Sequence, residues 1–311
     1  MRILLAIDGS PTADRAVELV RSSVWARPTT VRVVTVDQSV ADLTNAPWLG
    51  EPLVDHGPTW THTRHLHEIV ARAEAELTSD DVALEGKVVE GRPADEIVGE
   101  AMAFGADLIV IGSRGLGSIR SMLLGSVSAE VVDRAPCPVL VARHDRVTRL
   151  VIGLDGSPCS ERALDFVADR QLFPGAEAIV VSAVPQPALY PTVAPMSGVT
   201  IDLPADPRVR QAHQEIVLAG VARLRGPIRP VSGAIIEGDP PTELIAVATA
   251  READLIVVGT RGITGLRRLL LGSTARNVLH HTTCSVLVVR QRRGVRVATR
   301  EAAPAAQLAT A

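Results

Sequence analysis

Two short segments hold the residue types on which this chain's chemistry can rest. Asp8-Gly9-Ser10-Pro11 follows the apolar run Ile3 to Ile7. Gly112-Ser113-Arg114-Gly115, then nine residues, then Gly125-Ser126-Val127 follows the run Leu108 to Ile111. Glycines let backbone N–H groups come close to an anion, and Gly125-Ser126 opens a helical pattern with Val127, Val131 and Val132. The free N–H groups and positive dipole end of that helix would face the same point as the first glycine cluster. Two N–H clusters converging from either side fit a polyphosphate. The basic charge is almost all arginine, since Lys87 is the only lysine, so arginine must supply any cation for a phosphate. Asp8 also suits the N-cap of the helix that starts at Pro11, and capping and ligand contact can coexist.

Both segments occur twice at one spacing. Asp8-Gly9-Ser10-Pro11 returns 147 residues later as Asp155-Gly156-Ser157-Pro158. Ala106 to Leu116 returns as Ala253 to Ile263, identical at eight of eleven positions and containing Gly259, Thr260, Arg261 and Gly262. Gly272-Ser273-Thr274 repeats Gly125-Ser126-Val127, and Cys284 repeats Cys137. A duplicated unit of this length is a domain, so two domains are expected over 1–145 and 148–291, with a disordered tail over 292–311.

Short β-rich runs alternate with helical periods in each half, the pattern of parallel βα units. Strands are expected near Ile3–Ile7, Val31–Val36, Ala83–Val89, Leu108–Ile111 and Val139–Val141, and again near Leu150–Leu154, Ala178–Ala183, Ser232–Ile236, Leu255–Val258 and Val286–Val289. Ala13, Ala16, Val17 and Val20 mark the buried face of one helix, and Leu66, Ile69, Val70 and Leu77 that of the next. Pro93 and Pro240 open the third helix of each half. Asp37–Thr61 and Val184–Pro207 lack a period and read as long loops, suited to a lid or a partner surface. The expected fold is two tandem doubly wound five-stranded parallel sheets; if each has the order 3-2-1-4-5, strands one and four flank the switch point where ligands bind.

Composition removes other classes. A net charge of −3 draws the chain to neither nucleic acid nor membrane, and seven scattered aromatic residues make no base-stacking platform. No apolar stretch reaches 18 residues and no leader precedes Ile3, so a cytosolic protein is expected. Cys137, Cys159 and Cys284 are odd in number and form no C-x-x-C pair. The glycine segments lack the Gly-Lys-Ser/Thr of a P-loop, and no G-x-G-x-x-G follows the first strand, nor the Ser-Gly-Gly loop of an ATP pyrophosphatase. His62, His65 and His67 have no carboxylate or cysteine set beside them to make a metal site.

The Asp-Gly-Ser, the Gly-x-x-Gly-x9-Gly-Ser and the closing Cys137-Pro138-Val139-Leu140-Val141 resemble universal stress protein domains of the ATP-binding class. That resemblance spans both copies. It implies an adenine-nucleotide α-hydrolase-like fold with ATP, accompanied by Mg²⁺, across the switch point, and association through the fifth strands. It further implies that Asp8 and Gly9 lie near the nucleoside, that Val36 touches adenine, and that Gly112, Ser113, Arg114, Gly115, Gly125, Ser126 and Val127 hold ribose and phosphates. The second copy would use Asp155, Gly156, Ala183, Gly259, Thr260, Arg261, Gly262, Gly272, Ser273 and Thr274. Ser285 departs from the pattern, standing where the first copy has Pro138.

The function expected is a nucleotide-dependent regulatory or stress-response module with a protein partner the sequence does not name. A slow Mg²⁺-dependent ATPase or phosphotransferase is the alternative. The apolar fifth strands should pair within the chain, and remaining apolar surface should join two chains as a homodimer. Two nucleotides per chain are expected. The first site should be the tighter, because Ala183 replaces Val36 at a cost on the order of 1 kcal/mol.

Overall fold

The computed structural model describes residues 1–25, 27–38, 59–115, 123–185, 206–226, 228–260 and 271–290. The first half runs β1 (Arg2–Ala6), α1 (Pro11–Ser22), β2 (Thr29–Asp37), α2 (Thr59–Leu77), β3 (Val82–Glu90), α3 (Pro93–Phe104), β4 (Leu108–Gly112), α4 (Ser126–Arg134) and β5 (Val139–Ala142). The second runs β6 (Arg149–Gly153), α5 (Pro158–Asp169), β7 (Glu177–Val184), α6 (Pro207–Leu224), β8 (Val231–Glu237), α7 (Pro240–Ala250), β9 (Leu255–Gly259), α8 (Ser273–His281) and β10 (Ser285–Val289). Asp37 and Val184 close strands and Thr59 and Pro207 open helices, so both segments read as loops are shorter than expected. The remainder of those loops, and the tail, lie outside the described residues.

All pairing inside each half is parallel, in the order β3-β2-β1-β4-β5 and its repeat β8-β7-β6-β9-β10. Helices cover both faces, so strands are apolar on both sides. Ile3 and Leu5 belong to one core layer, Leu4 and Ala6 to the other, and all four are buried. The helix faces read from the sequence are the buried ones: Ala13, Ala16, Val17 and Val20 on α1, and Leu66, Ile69, Val70 and Leu77 on α2.

The fifth strands meet as expected. β5 and β10 pair antiparallel with Leu140 opposite Leu287, fusing the halves into one ten-stranded sheet. Each half then reaches into the other with an arginine just past its last strand. The buried Arg143 guanidinium donates to the carbonyls of Leu123, Leu279 and Cys284, the last two at 2.7 and 3.0 Å. Arg290, 147 residues on, donates to Val132, Asp133 and Ala135. Both satisfy carbonyls at the C-terminal end of the opposite half's last helix. Burial pushes the Arg143 guanidinium down to about 10. The departure at Ser285 has its role here, for its Oγ accepts from the backbone N–H groups of Arg143 and His144 across the seam, each at 3.0 Å. Proline at the equivalent position has no such oxygen.

Leu287 is fully buried at the centre of this seam. Leu287→Asp should place an unpaired carboxylate there and destabilise the chain by about 3 kcal/mol or more. Calorimetric melting should show it, with faster proteolysis between the halves. An unchanged melt would contradict the seam.

Candidate functional site

The first half holds a cleft of about 640 Å³ beyond the carboxyl ends of β1 and β4. Its position follows from the strand order. β1 and β4 are neighbours, but the chain leaves them toward α1 and α4 on opposite faces, and the two exits part to leave a crevice.

Backbone contacts fix the two rims. Gly9 turns the chain after β1 at φ +76°, and the Asp8 carboxylate accepts from the Ser10 N–H at 3.0 Å. The N-cap of α1 is Ser10, whose Oγ accepts from the Ala13 N–H, so the capping role expected for Asp8 belongs to its neighbour. Asp8 is left facing the cleft. A Cβ on Gly112 would lie 2.8 Å from the Thr12 backbone, so β4 can end against the first turn of α1 only as glycine. Thr12 Oγ1 and Ser10 Oγ both donate to the Arg114 carbonyl, and Thr12 Oγ1 also accepts from the Arg114 N–H at 3.3 Å. The Gly125 N–H donates to the Ser113 carbonyl at 2.7 Å, closing the glycine segment into a loop, and Ser128 Oγ donates to the Gly112 carbonyl at 2.8 Å.

The lining divides by chemistry. Val34, Val36, Leu66 and Ile97 give an apolar wall, while Asp8, Arg114, Gly115, Gly125 and Ser126 give a polar one. Gly125, the N-cap of α4, gives that helix no side-chain cap, unlike Ser10 of α1. Ser126 and Val127 of that turn line the cleft. Of the residues expected in the first site, the cleft brings together Asp8, Val36, Gly112, Arg114, Gly115, Gly125, Ser126 and Val127. It does not bring Gly9, which lies against Ile69, nor Ser113, which is buried with its N–H on the Ala142 carbonyl.

Thr12 and Ser128 escaped the sequence reading because their counterparts 147 residues on are Cys159 and Ala275, so the repeat does not flag them. His62, considered as a metal ligand, lines the cleft with Nε2 3.4 Å from the Asp37 carboxylate. No group of three or more metal-ligating side chains forms among the described residues.

The second half repeats the frame. Asp155 accepts from the Ser157 N–H at 2.9 Å, Gly156 has φ +74°, Ser157 caps α5, and the Gly272 N–H donates to the Thr260 carbonyl at 2.6 Å. Gly259 lies as close to α5 as Gly112 does to α1, and Ser273 and Thr274 open the uncapped α8. Ala183 is the next-to-last residue of β7 as Val36 is of β2. Arg261 and Gly262 lie outside the described residues.

One difference is chemical. His213 stands where the first half has Leu66, and its Nδ1 is 2.8 Å from Ser182 Oγ. The Ser182 hydroxyl donates to the Leu154 carbonyl, so Nδ1 is the donor to Ser182 and Nε2 is left without its proton. Ser182 is fully buried and its proton committed, which makes it a structural hydroxyl and not a nucleophile. Burial pushes the His213 imidazole below its usual range, opposed by the Asp155 charge.

A family model for the universal stress protein family matches residues 1–143 and again 146–290. A universal stress protein of Mycobacterium tuberculosis is 29% identical over 308 residues, covering 93% of this chain and 97% of the relative. A shorter one from Thermus aquaticus is 38% identical over 141 residues, 45% of this chain and 97% of its own length. Among solved structures, a universal stress protein from Archaeoglobus fulgidus superimposes with a TM-score of 0.64 at 21% identity, covering 93% of this chain and 98% of that one. The fold is that of a tandem α/β protein of the adenine-nucleotide α-hydrolase-like class. The chain belongs to the universal stress protein family.

The buried His213 carries a pH signature. The unfolded imidazole takes up a proton near its ordinary value of 6.5 and the folded one resists, so stability is full above that pH and is lost as pH falls through it. Melting temperature should drop between pH 7.5 and 5.5. His213→Leu should shrink the drop without abolishing it, since burial and nearby cations hold His280 low as well. An equal drop in the variant would contradict this account of His213.

Proposed function

We propose that the chain is an ATP-holding regulatory module of the stress response, with one nucleotide site in each half. The observation that carries this reading is the meeting, in one cleft, of the uncapped α4 N-terminus and the Gly112–Gly115 turn on one side and an apolar wall on the other. An adenine fits against Val34, Val36 and Leu66, a ribose within reach of Asp8, and phosphates against Gly115, Gly125, Ser126 and the Arg114 guanidinium. The volume lies within the range of nucleotide-sized pockets. Magnesium would arrive on the phosphates, with Asp8 the one carboxylate among the described lining residues to meet it.

The chain's own groups bind and orient more than they react. Asp8 is the sole carboxylate among the described lining residues, and it accepts from the Ser10 N–H on the turn after β1. A protein whose bound nucleotide sets its shape or partner affinity suits this lining better than a hydrolase, and localisation in the cytoplasm agrees with such a role. Partnership with a second copy of the chain, through apolar surface beyond the seam, belongs to the same proposal.

Gly115 tests the phosphate assignment. A Cβ there would come 2.7 Å from Asp8 Oδ2, so Gly115→Val would displace the carboxylate and block the turn together. ATP affinity of the first site should fall at least about ten-fold with the far-UV spectrum unchanged. Arg114→Ala should weaken ATP far more than adenosine. A Gly115→Val protein that binds ATP like the parent chain would remove the assignment.

A further inference from the structure

The cleft of the first half is not built by the first half alone. His280, on α8 of the second half, lines it together with Ser128 and Ala129 of α4. Its placement follows from how the two helices meet across the seam. Arg276 of α8 pairs with Asp133 of α4 at 3.5 Å. One turn forward from Arg276 is His280, and one turn back from Asp133 is Ala129, so the antiparallel approach carries the imidazole toward the start of α4. Ser126 lies about 5 Å further along that axis.

We propose that His280 is a nucleotide-contacting residue lent by the second half, whose protonated imidazole meets the distal phosphates of ATP in the first half's cleft. The proposal rests on the ATP reading of that cleft. The groups facing His280 are Arg276 and His281 on its own helix, Arg143 past β5, and Asp133 on α4. Arg276 is already paired with Asp133, and the Arg143 guanidinium is spent on three carbonyls. That leaves the two histidines of the set, and of these His280 is the one that lines the cleft. Burial and the neighbouring cations hold the imidazole below its usual range, and a phosphate would draw it back up, so binding takes up a proton.

The second site cannot return the favour in the same form. The residue 147 before His280 is Asp133, and the residue 147 after Ala129 is Arg276. At the equivalent place the second half therefore has an ion pair where the first has alanine and histidine. The repeat is therefore broken where His280 of the second half meets the first half's cleft, and on this proposal nucleotide binding in the first half depends on the docking of the second.

The test is to titrate the full chain with ATP and with AMP at pH 6.0 and 8.0, for the parent, His280→Ala and His280→Arg. His280 is exposed, so neither substitution disturbs the core. At its tighter site the parent should bind ATP about five-fold better at pH 6.0 than His280→Ala does, and equally at pH 8.0. His280→Arg should bind tightly at both, and AMP, lacking distal phosphates, should show no difference among the three. Comparing variants at one pH cancels titration of the nucleotide itself. Equal ATP affinities for the parent and His280→Ala at pH 6.0 would overturn the proposal and leave any pH effect to His62 or the ligand. A parent chain that binds no ATP at either pH would overturn the ATP reading, and this proposal with it.

Discussion

A Cβ on Gly112 would stand 2.8 Å from the backbone of Thr12, and one on Gly259 would stand 2.5 Å from the backbone of Cys159. The fourth strand of each half can end against the first turn of the first helix only because nothing stands between them. From that approach the rest follows. Thr12 and Ser10 reach the Arg114 backbone, the glycine turn is pinned beside Asp8, and the crevice between β1 and β4 acquires two rims of fixed spacing. A larger residue would push the turn away from α1, and the Ser128 bond to the Gly112 carbonyl would lose its geometry with it.

The seam does for the pair what Gly112 does for each half. β5 and β10 are short, four and five residues, and their ladder alone would make a weak joint. Arg143 and Arg290 reinforce it by giving donors to helix-end carbonyls that would otherwise lack them. The cost is a buried guanidinium whose Nε finds no acceptor among the described residues. Such a group is expensive to bury and ruinous to leave unpaired, so the joint either forms completely or fails. That all-or-none character suits a module in which one half supplies a residue to the other's cleft.

Much of this was legible in the sequence because it was written twice. The 147-residue offset located the strands, the glycine segments and the apolar edges that pair, while the strand order came with the family resemblance. Periodicity named the buried faces of α1 and α2 residue by residue. What escaped was of two kinds. Thr12, Ser128, His213 and His280 each have a counterpart of different chemistry, so a reading that searched for matches passed over them. Arg143 and Arg290 do match, and extending the comparison to the ends of the fifth strands would have found them, but a surface-looking arginine gives no sign in sequence that it will be buried by its twin. The exchange of roles between Asp8 and Ser10 turned on which oxygen reaches Ala13, a matter of turn geometry that residue type alone leaves open.

The central claim is that each half carries a nucleotide site and that the first is the better built. Its apolar wall keeps Val36 where the second half has Ala183, and its loop is stitched by Thr12 and Ser128 where the second has Cys159 and Ala275. Titration calorimetry of the nucleotide-stripped chain with ATP and Mg²⁺ measures this directly. Two binding events per chain, with the tighter one lost in Gly115→Val, is the predicted result. A single event that survives Gly115→Val, or no binding at all, would contradict it.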